Sequence, residues 1–254
     1  MYTAEEMMTV IASRELRDGE IVFVGIGLPN LACNLARATH APRLVLIYES
    51  GAVGALPERL PVSIGDPSLV TGSLMTTGMA DIFQLFLQGG RIEVGFLGGA
   101  QIDRYGNINT TVVGDYANPK VRLPGSGGAA EIAIHARRTL IISRLSTRAF
   151  PSEVDFITSP GNRSHGRSRK EWGMPGAGPV KVITDRGVLV ASESDGEMEL
   201  ASLYPEMTVE DVTSRVGWPL RVRDDLEAVA PPSSEELRLL REVLDPSKLY
   251  LKGG

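Results

Sequence analysis

The chain has 254 residues, of which 43% are hydrophobic and 22% charged, a composition typical of a globular protein with a sizeable core. Its formal net charge of −5 argues against a general nucleic-acid binder, which would carry a basic face, but it leaves room for a locally positive cleft. The single cysteine, Cys33, excludes an intrachain disulfide framework, and no apolar run approaches the ~18 residues of a membrane span. Glu5 and Glu6 stand where a secretory signal would need basic residues, so we expect a cytoplasmic protein without a membrane partner.

The first fifty residues predict a β-α-β unit. Thr3 and Glu6 match a capping box, so a first helix begins there. Residues 20–25 then predict a buried strand, Pro29 lies in the first turn of a second helix, and residues 43–48 predict another strand. Two strands and one helix within about thirty residues imply a right-handed crossover and a parallel pair.

Later apolar runs predict five more strands, at residues 91–97, 140–143, 154–158, 180–184 and 187–191. A hairpin turn is expected at Asp185-Arg186-Gly187, a helix at residues 130–138, and two short helices after Thr208 and Ser233. Together these elements predict an α/β fold: an open, mixed, mainly parallel sheet with helices on both faces, as one domain over residues 1–254. The one long irregular stretch, residues 159–179, has the length of a lid, a binding loop or a disordered segment.

Glycine-rich turns follow the first two strands, where open α/β sheets bind ligands. Gly25 and Gly27, with Glu49 further on, imitate a dinucleotide-binding fingerprint. Asn30, however, occupies the place of the third glycine, and Ser50-Gly51 forms a turn that would project Glu49 into the cleft. Nicotinamide binding therefore stays open, as does the purely structural interpretation in which these glycines only make tight turns.

A third glycine-rich segment, Gly125-Ser126-Gly127-Gly128-Ala129, precedes the predicted helix at residues 130–138. Successive backbone N–H groups at a helix start can hold a phosphate or the oxyanion of a carbonyl under attack. A flexible turn is the alternative interpretation.

Several chemistries are excluded by the motifs that the sequence lacks. It has no P-loop and no Gly-x-Ser-x-Gly elbow, and its three histidines, His40, His135 and His165, lack metal-ligand spacing, so no metal is expected. We expect His135 to be packed or exposed rather than catalytic, and Cys33 to be packed.

Taken in order over nearly the whole chain, a series of short motifs resembles the B subunits of class I (family I) CoA-transferases, such as that of glutaconate CoA-transferase. Each motif is weak alone, and their order carries the resemblance. They are Gly25-Ile26-Gly27-Leu28-Pro29, Glu49-Ser50-Gly51, Gly98-Gly99-Ala100-Gln101-Ile102-Asp103, Tyr105-Gly106-Asn107, Gly114-Asp115-Tyr116, Gly125-Ser126-Gly127-Gly128-Ala129, Thr158-Ser159-Pro160-Gly161 and Thr184-Asp185-Arg186-Gly187.

The resemblance implies an enzyme in which Glu49 attacks an acyl-CoA and then carries CoA as a glutamyl thioester to a carboxylic acid, possibly a dicarboxylic one. CoA thioester would be a substrate, and no cofactor would be permanently bound. Candidates to bind CoA or an oxyanion are Gly125, Gly127, Gly128, Ala129 and Gln101. Gly25, Gly27, Ser50 and Gly51 would line the cleft. From the residues alone, we expect a charged, solvated loop at Arg167, Arg169 and Lys170, and contact with CoA phosphates is the alternative.

The resemblance also implies an A-type partner subunit that completes the substrate pocket, in a heterodimer or a dimer of heterodimers. Hydrolases and a decarboxylase-type relative share the architecture but lack a glutamate at the position of Glu49, which favours the transferase. The alternatives are a CoA-thioester hydrolase or lyase on the same fold, a non-catalytic subunit that binds a metabolite, and a nicotinamide-dependent oxidoreductase.

Overall fold

Capping boxes set the start of three helices in the computed structural model, which describes residues 1–251. Thr3, Thr208 and Ser233 each accept a hydrogen bond from the backbone N–H three residues on, and the acid at that position bonds back to the cap. These caps begin α1 (Ala4–Arg14), α5 (Val209–Thr213) and α6 (Ser234–Arg238), numbered in chain order. All three predicted helix starts are confirmed.

By its internal contacts the chain divides into two units. Unit 1 comprises residues 1–96 and the chain from residue 231 onward, and unit 2 comprises residues 97–230. That residues 1–254 act as a single domain stays a prediction.

Unit 1 is organised around the predicted β-α-β element. Its strands are β1 (Ile21–Phe23), β2 (Val45–Ile47), β3 (Ala52–Val53), β4 (Met75–Thr76) and β5 (Val94–Leu97), in the spatial order β5-β1-β2-β3-β4. β1 is parallel to both β2 and β5, whereas β2–β3 and β3–β4 are antiparallel. Its further helices are α2 (Leu28–Ala38), between β1 and β2, and α3 (Met79–Asp81), which continues as a π-helical segment, Ile82–Leu87. A short 3-10 helix lies at Pro67–Val70.

Leucines from distant parts of the sequence form a core in unit 1. Leu31 and Leu35 of α2 pack with Val10 of α1 and with Leu240, which lies in a π-helical segment (Leu239–Leu244) that continues α6. Leu251 closes this cluster from the C-terminal side. Each such side chain contributes about 1.5–3 kcal/mol on burial, so the residues after 230 hold α1 and α2 together.

Unit 2 contains the second half of the mixed α/β arrangement. Its main strands are β10 (Arg138–Ile142), β13 (Pro179–Ile183), β14 (Gly187–Ala191), β15 (Met198–Leu203) and β16 (Arg221–Ala228). β10–β13 and β15–β16 are parallel, and β13–β14 and β14–β15 are antiparallel, which confirms the predicted hairpin at Asp185-Arg186-Gly187. Three small hairpins pair β6 (Gln101–Ile102) with β7 (Ile108–Asn109), β8 (Val112–Gly114) with β9 (Pro119–Arg122), and β11 (Arg163–Ser164) with β12 (Arg167–Ser168); the one helix besides α5 is α4 (Ala129–His135). The predicted α/β fold with an open, mixed sheet is confirmed.

One predicted strand, at residues 154–158, is wrong. Its backbone is irregular because its N–H groups bond to separate partners and not to one neighbouring strand. The Asp155 N–H donates to Gln101 Oε1, and the Thr158 N–H donates to the carbonyl of Ile108. The segment ends in an isolated bridge between Ser159 and Ile108 rather than in a ladder.

The irregular stretch of residues 159–179 is tied to the rest of unit 2 by a buried arginine. Arg169 is only 8% exposed and donates to the carbonyls of Gly161 and Gly176 and to those of Ala133 and Ile134 near the end of α4. It has no carboxylate partner among these contacts, and burial lowers the pKa of its guanidinium to about 10. The segment is therefore held in place by carbonyl groups that this cation satisfies.

Candidate active site

Glu49 lies in a tight turn that follows β2. The Tyr48 N–H donates to the Ala52 carbonyl and the Gly51 N–H donates to the Tyr48 carbonyl, both at 3.0 Å, so Glu49 and Ser50 occupy the corner of the β2–β3 hairpin. Within the described residues the Glu49 side chain makes no hydrogen bond or ion pair, and it is partly exposed. Its carboxylate is thus held on a short, constrained turn and left free for a ligand.

Gly51 permits this turn to press against a neighbouring segment. Its φ is +111°, a backbone conformation that residues other than glycine rarely adopt. A Cβ at this position would lie 1.9 Å from the carbonyl oxygen of Thr77, whose N–H donates to the Gly51 carbonyl at 3.0 Å. The Thr77 hydroxyl in turn donates to the Asp81 carboxylate in a short hydrogen bond. The glycine after Glu-Ser is therefore required both by its backbone conformation and by close packing.

The glycine loop after β1 lies beside this turn. Phe23 pairs with Ile47 in the parallel register, and the Val24 N–H donates to the Ile47 carbonyl at 3.0 Å. Gly27, with φ +88°, is the N-cap of α2, and no side chain crowds Gly25. Because the carboxyl ends of adjacent parallel strands lie at the same edge of a sheet, the loop of residues 25–27 and the turn of residues 49–51 both begin at that edge of unit 1. That these residues line one cleft stays a prediction.

Tyr48, immediately before Glu49, is fully buried behind the turn. Its hydroxyl accepts a hydrogen bond of 2.6 Å from Asn30 Nδ2, and both side chains are 0% exposed. Burial raises the pKa of the Tyr48 phenol, so it stays a neutral hydroxyl. Asn30, which the sequence presents only as a departure from a dinucleotide fingerprint, joins α2 to the residue before Glu49.

A C-terminal tyrosine lies near the glycine loop. The Tyr250 hydroxyl donates to the Pro61 carbonyl in a short hydrogen bond. Burial raises the pKa of the Tyr250 phenol, and the nearby Gly27 N–H partly offsets that rise. The backbone of Tyr250 is fixed by Asp245, a 1% exposed carboxylate that accepts from the N–H groups of Leu249, Tyr250 and Leu251. Nothing in the local sequence pattern links residue 250 to residue 27, so no sequence signal identifies this tyrosine.

The remaining predicted site residues lie in unit 2. Gly125 exchanges two hydrogen bonds with Thr110, one of them from the Thr110 hydroxyl to the Gly125 carbonyl at 2.7 Å. Gly127 has a φ of +48° and Gly128 a φ of −83°, so a left-handed residue is followed by a right-handed one. Such pairs turn successive backbone N–H groups to the same side, as in anion-binding nests. α4, which begins at Ala129, has only seven residues, so its dipole adds little. An anion-binding role for this segment stays a prediction.

Gln101 is used inside unit 2. It is 7% exposed; its Oε1 accepts from Asn109 Nδ2 at 2.7 Å and from the Asp155 N–H, and its Nε2 donates to Asp155 at 3.0 Å. The side-chain amide therefore fixes the β6–β7 hairpin against residue 155. A direct contact between Gln101 and CoA stays a prediction, and it would have to compete with the hydrogen bonds that this side chain already makes.

Both interpretations of Arg169, as part of a solvated loop and as a phosphate contact, are wrong, because its guanidinium is buried among the carbonyls described above. Arg167 and Lys170 are exposed, and the Arg167 guanidinium lies over the Trp172 ring, 5.0 Å from its centroid. Cys33 is fully buried in α2, and burial raises the pKa of its thiol, as expected for a packing role.

Metal ligation has no support within residues 1–251, where no group of three or more histidine, cysteine, aspartate or glutamate side chains could hold an ion. In the same part of the chain, no helix is long and apolar enough to cross a membrane.

Comparison with known proteins gives consistent similarities. The model of the coenzyme A transferase family matches residues 5–215. The chain is 50% identical over 240 residues to the B subunit of 3-oxoadipate CoA-transferase from Pseudomonas knackmussii, covering 94% of this chain and 92% of that protein. It is 36% identical over 256 residues to the B subunit of glutaconate CoA-transferase from Acidaminococcus fermentans, covering 99% and 96%. The crystal structure of glutaconate coenzyme A-transferase from the same organism superposes with a TM-score of 0.91 at 34% identity, covering 100% of this chain and 98% of the other.

Proposed function

The chain belongs to the coenzyme A transferase family, as the B subunit of an acyl-CoA:carboxylate CoA-transferase, and from this premise we propose that Glu49 is the carboxylate that carries CoA. One observation supports this assignment above the others. Glu49 stands at the corner of a constrained turn, beside glycines that leave space for a ligand, and its carboxylate has no partner among residues 1–251.

The exchange proceeds by covalent catalysis, in which one difficult transfer becomes several easier ones. A Glu49 oxygen attacks the thioester carbonyl, forming a C–O bond and breaking the C–S bond, which gives an acyl-glutamyl anhydride and CoA thiolate. The thiolate then attacks the Glu49 carbonyl of the anhydride, releases the donor acid and leaves CoA as a thioester on Glu49. The acceptor carboxylate attacks this thioester and forms a second anhydride, and CoA thiolate attacks its acyl carbon. Glu49 is then regenerated as a carboxylate.

A carboxylate is a modest nucleophile, so the site must supply position and stabilisation of developing charge. The turn at residues 48–51 and the contact of Gly51 with Thr77 supply the position of Glu49. Gly25 and Gly27 leave the approach to Glu49 open, and Ser50 is exposed at the same corner. The backbone around Gly127 and Gly128 is our candidate for holding CoA or the oxyanion.

We assign the acids to the dicarboxylate class. The two similar B subunits are named for 3-oxoadipate and glutaconate, both dicarboxylic acids, and one of them shares half of its aligned residues with this chain. A panel of acceptors tests this assignment. Dicarboxylates should give a higher kcat/KM than acetate with the same CoA donor, and a preference for acetate would overturn it.

The active complex includes an A-type subunit, in a heterodimer or a dimer of heterodimers, and works in the cytoplasm. This partner supplies the part of the substrate pocket that this chain does not. Co-expression with an A-type subunit should yield a stable complex with transferase activity, whereas full activity of the B subunit alone would contradict the assignment.

Substitution of Glu49 separates the transferase from its alternatives. Glu49→Gln in the complex should abolish CoA transfer, whereas Glu227→Gln, at an exposed position of β16, should leave it unchanged. Wild-type kinetics should be ping-pong, since the first acid leaves before the second binds. Acyl-CoA hydrolysis that needs no acceptor would instead favour a hydrolase, and full activity of Glu49→Gln would move catalysis to the A subunit.

A further inference from the structure

Asn30 and Tyr48 form a buried polar pair in unit 1. Asn30 lies in the first turn of α2, and Tyr48 is the last residue before Glu49. The hydrogen bond from Asn30 Nδ2 to the Tyr48 hydroxyl measures 2.6 Å, and neither side chain is exposed. It links elements that are eighteen positions apart in sequence.

A second asparagine fixes the orientation of this pair. Asn34 Nδ2 donates to the Asn30 backbone carbonyl at 2.9 Å and to Asn30 Oδ1 at 3.1 Å. Because Oδ1 of Asn30 accepts from Asn34, its Nδ2 must face Tyr48, and the Tyr48 hydroxyl is the acceptor. The Asn30 amide therefore fixes the position of the Tyr48 ring relative to the turn.

This pair fixes the position of the tyrosine ring but contributes little to the net stability of the fold. A buried neutral hydrogen bond adds little to stability, because both groups also bond well to water in the unfolded chain. Asn30→Leu and Tyr48→Phe together would fill similar volumes with two apolar side chains. The half-buried Asn34 amide would keep the backbone carbonyl of residue 30 as its acceptor. Buried polar pairs of this kind can select one geometry rather than strengthen the fold.

The pair connects the two segments that meet at the proposed site. α2 begins directly after Gly27, so its first turn follows the glycine loop. The backbone of Tyr48 is hydrogen-bonded to Gly51 and Ala52, across the Glu49 turn. A shift of the tyrosine would therefore move the Glu49 carboxylate relative to residues 25–27. Reactions that depend on covalent attack are sensitive to displacements of about 1 Å, which can cost about 100-fold in rate.

We propose that Tyr48 and Asn30 are positioning residues for the transfer step, which set the distance between the Glu49 carboxylate and a thioester held beside the Gly25–Gly27 loop. This inference rests on the proposed role of Glu49. It adds two side chains that touch no reacting atom and that act through the backbone of the turn.

The test measures how fast CoA becomes attached to Glu49 in a single turnover, in the complex with the A subunit, for Tyr48→Phe, Asn30→Leu and the double variant. Both single variants should slow thioester formation by about 10- to 100-fold, with unchanged affinity for acyl-CoA. In the double variant, where both members of the pair are apolar, the urea midpoint should return to that of the wild type while the rate stays low. Ser13→Ala, which removes a buried hydroxyl of α1 that bonds the Val10 carbonyl, should lower stability without slowing the reaction.

The outcomes separate this inference from the proposed function. A wild-type complex that never attaches CoA to Glu49 would overturn the proposed function itself, before any variant is compared. If the adduct forms and the double variant reacts at the wild-type rate, the positioning role is wrong. Rates that simply follow stability across all four variants, Ser13→Ala included, would also reduce the pair to a structural contact.

Discussion

Replacement of Gly51 by alanine perturbs the Glu49 turn without touching its carboxylate. A positive φ costs a residue with a Cβ about 1–2 kcal/mol. The new Cβ would also stand 1.9 Å from the carbonyl oxygen of Thr77, a residue whose N–H donates to the Gly51 carbonyl, and overpacking of this kind costs about 1–3 kcal/mol. Gly51→Ala should therefore lose about 2–5 kcal/mol of the free energy of unfolding. It should also lose about 100-fold in transferase activity, because the turn must move to relieve the contact.

Gly19→Ala is the matched control for this change. Gly19 has a φ of +85°, but an added Cβ would meet no atom within 4 Å, so this variant carries the backbone cost alone. It should lose about 1–2 kcal/mol in urea unfolding and keep full activity. If Gly51→Ala loses no more stability than Gly19→Ala and stays as active as the wild type, the close contact with Thr77 does not position Glu49.

Three further results are expected. Arg169→Met should destabilise unit 2 by at least about 3 kcal/mol in urea unfolding, because several buried carbonyls lose a charged donor, whereas Arg167→Met should be nearly neutral. The hydrogen bonds from Arg59 hold the pKa of Asp66 below its usual value, so Asp66→Asn should be less stable than the wild type at pH 7. This difference in the free energy of unfolding should vanish as the pH falls well below 3.8, because Asp66 is then protonated in both the folded and the unfolded chain. A difference that stays constant with pH would contradict a role for the Asp66 charge. Cys33 should resist alkylation in the native complex and react fully after unfolding.

The parts of the fold that depend on neighbouring residues could be predicted from the sequence. The capping boxes at Thr3, Thr208 and Ser233 use partners three residues away, and the β-α-β unit follows from apolar runs and a proline in the first helical turn. The hairpin between β13 and β14 follows from its turn residues. Glu49 could be singled out because Ser50-Gly51 favours a turn at the end of a strand.

The parts that depend on contacts between distant residues could not be predicted. The hydrogen bond from Tyr250 to the Pro61 carbonyl and those from Arg169 to the carbonyls around it join residues whose spacing in the sequence follows no pattern. β16 escapes prediction because its exposed, charge-rich sequence does not resemble a buried strand, although charges are common on strands that pair on one side only. Asn30 looks like a defect in a glycine motif because its partner, Tyr48, lies in another element.

The covalent attachment of CoA to Glu49 is the central claim, and mass spectrometry of the complex with its A-type partner tests it most directly. The complex is incubated with acyl-CoA and then with borohydride, which reduces a glutamyl thioester to an alcohol. We predict that this chain loses one oxygen and gains two hydrogens, and that the change maps to Glu49. An active complex that remains unmodified across a panel of acyl-CoAs would contradict this mechanism and favour a hydrolase or lyase on the same fold.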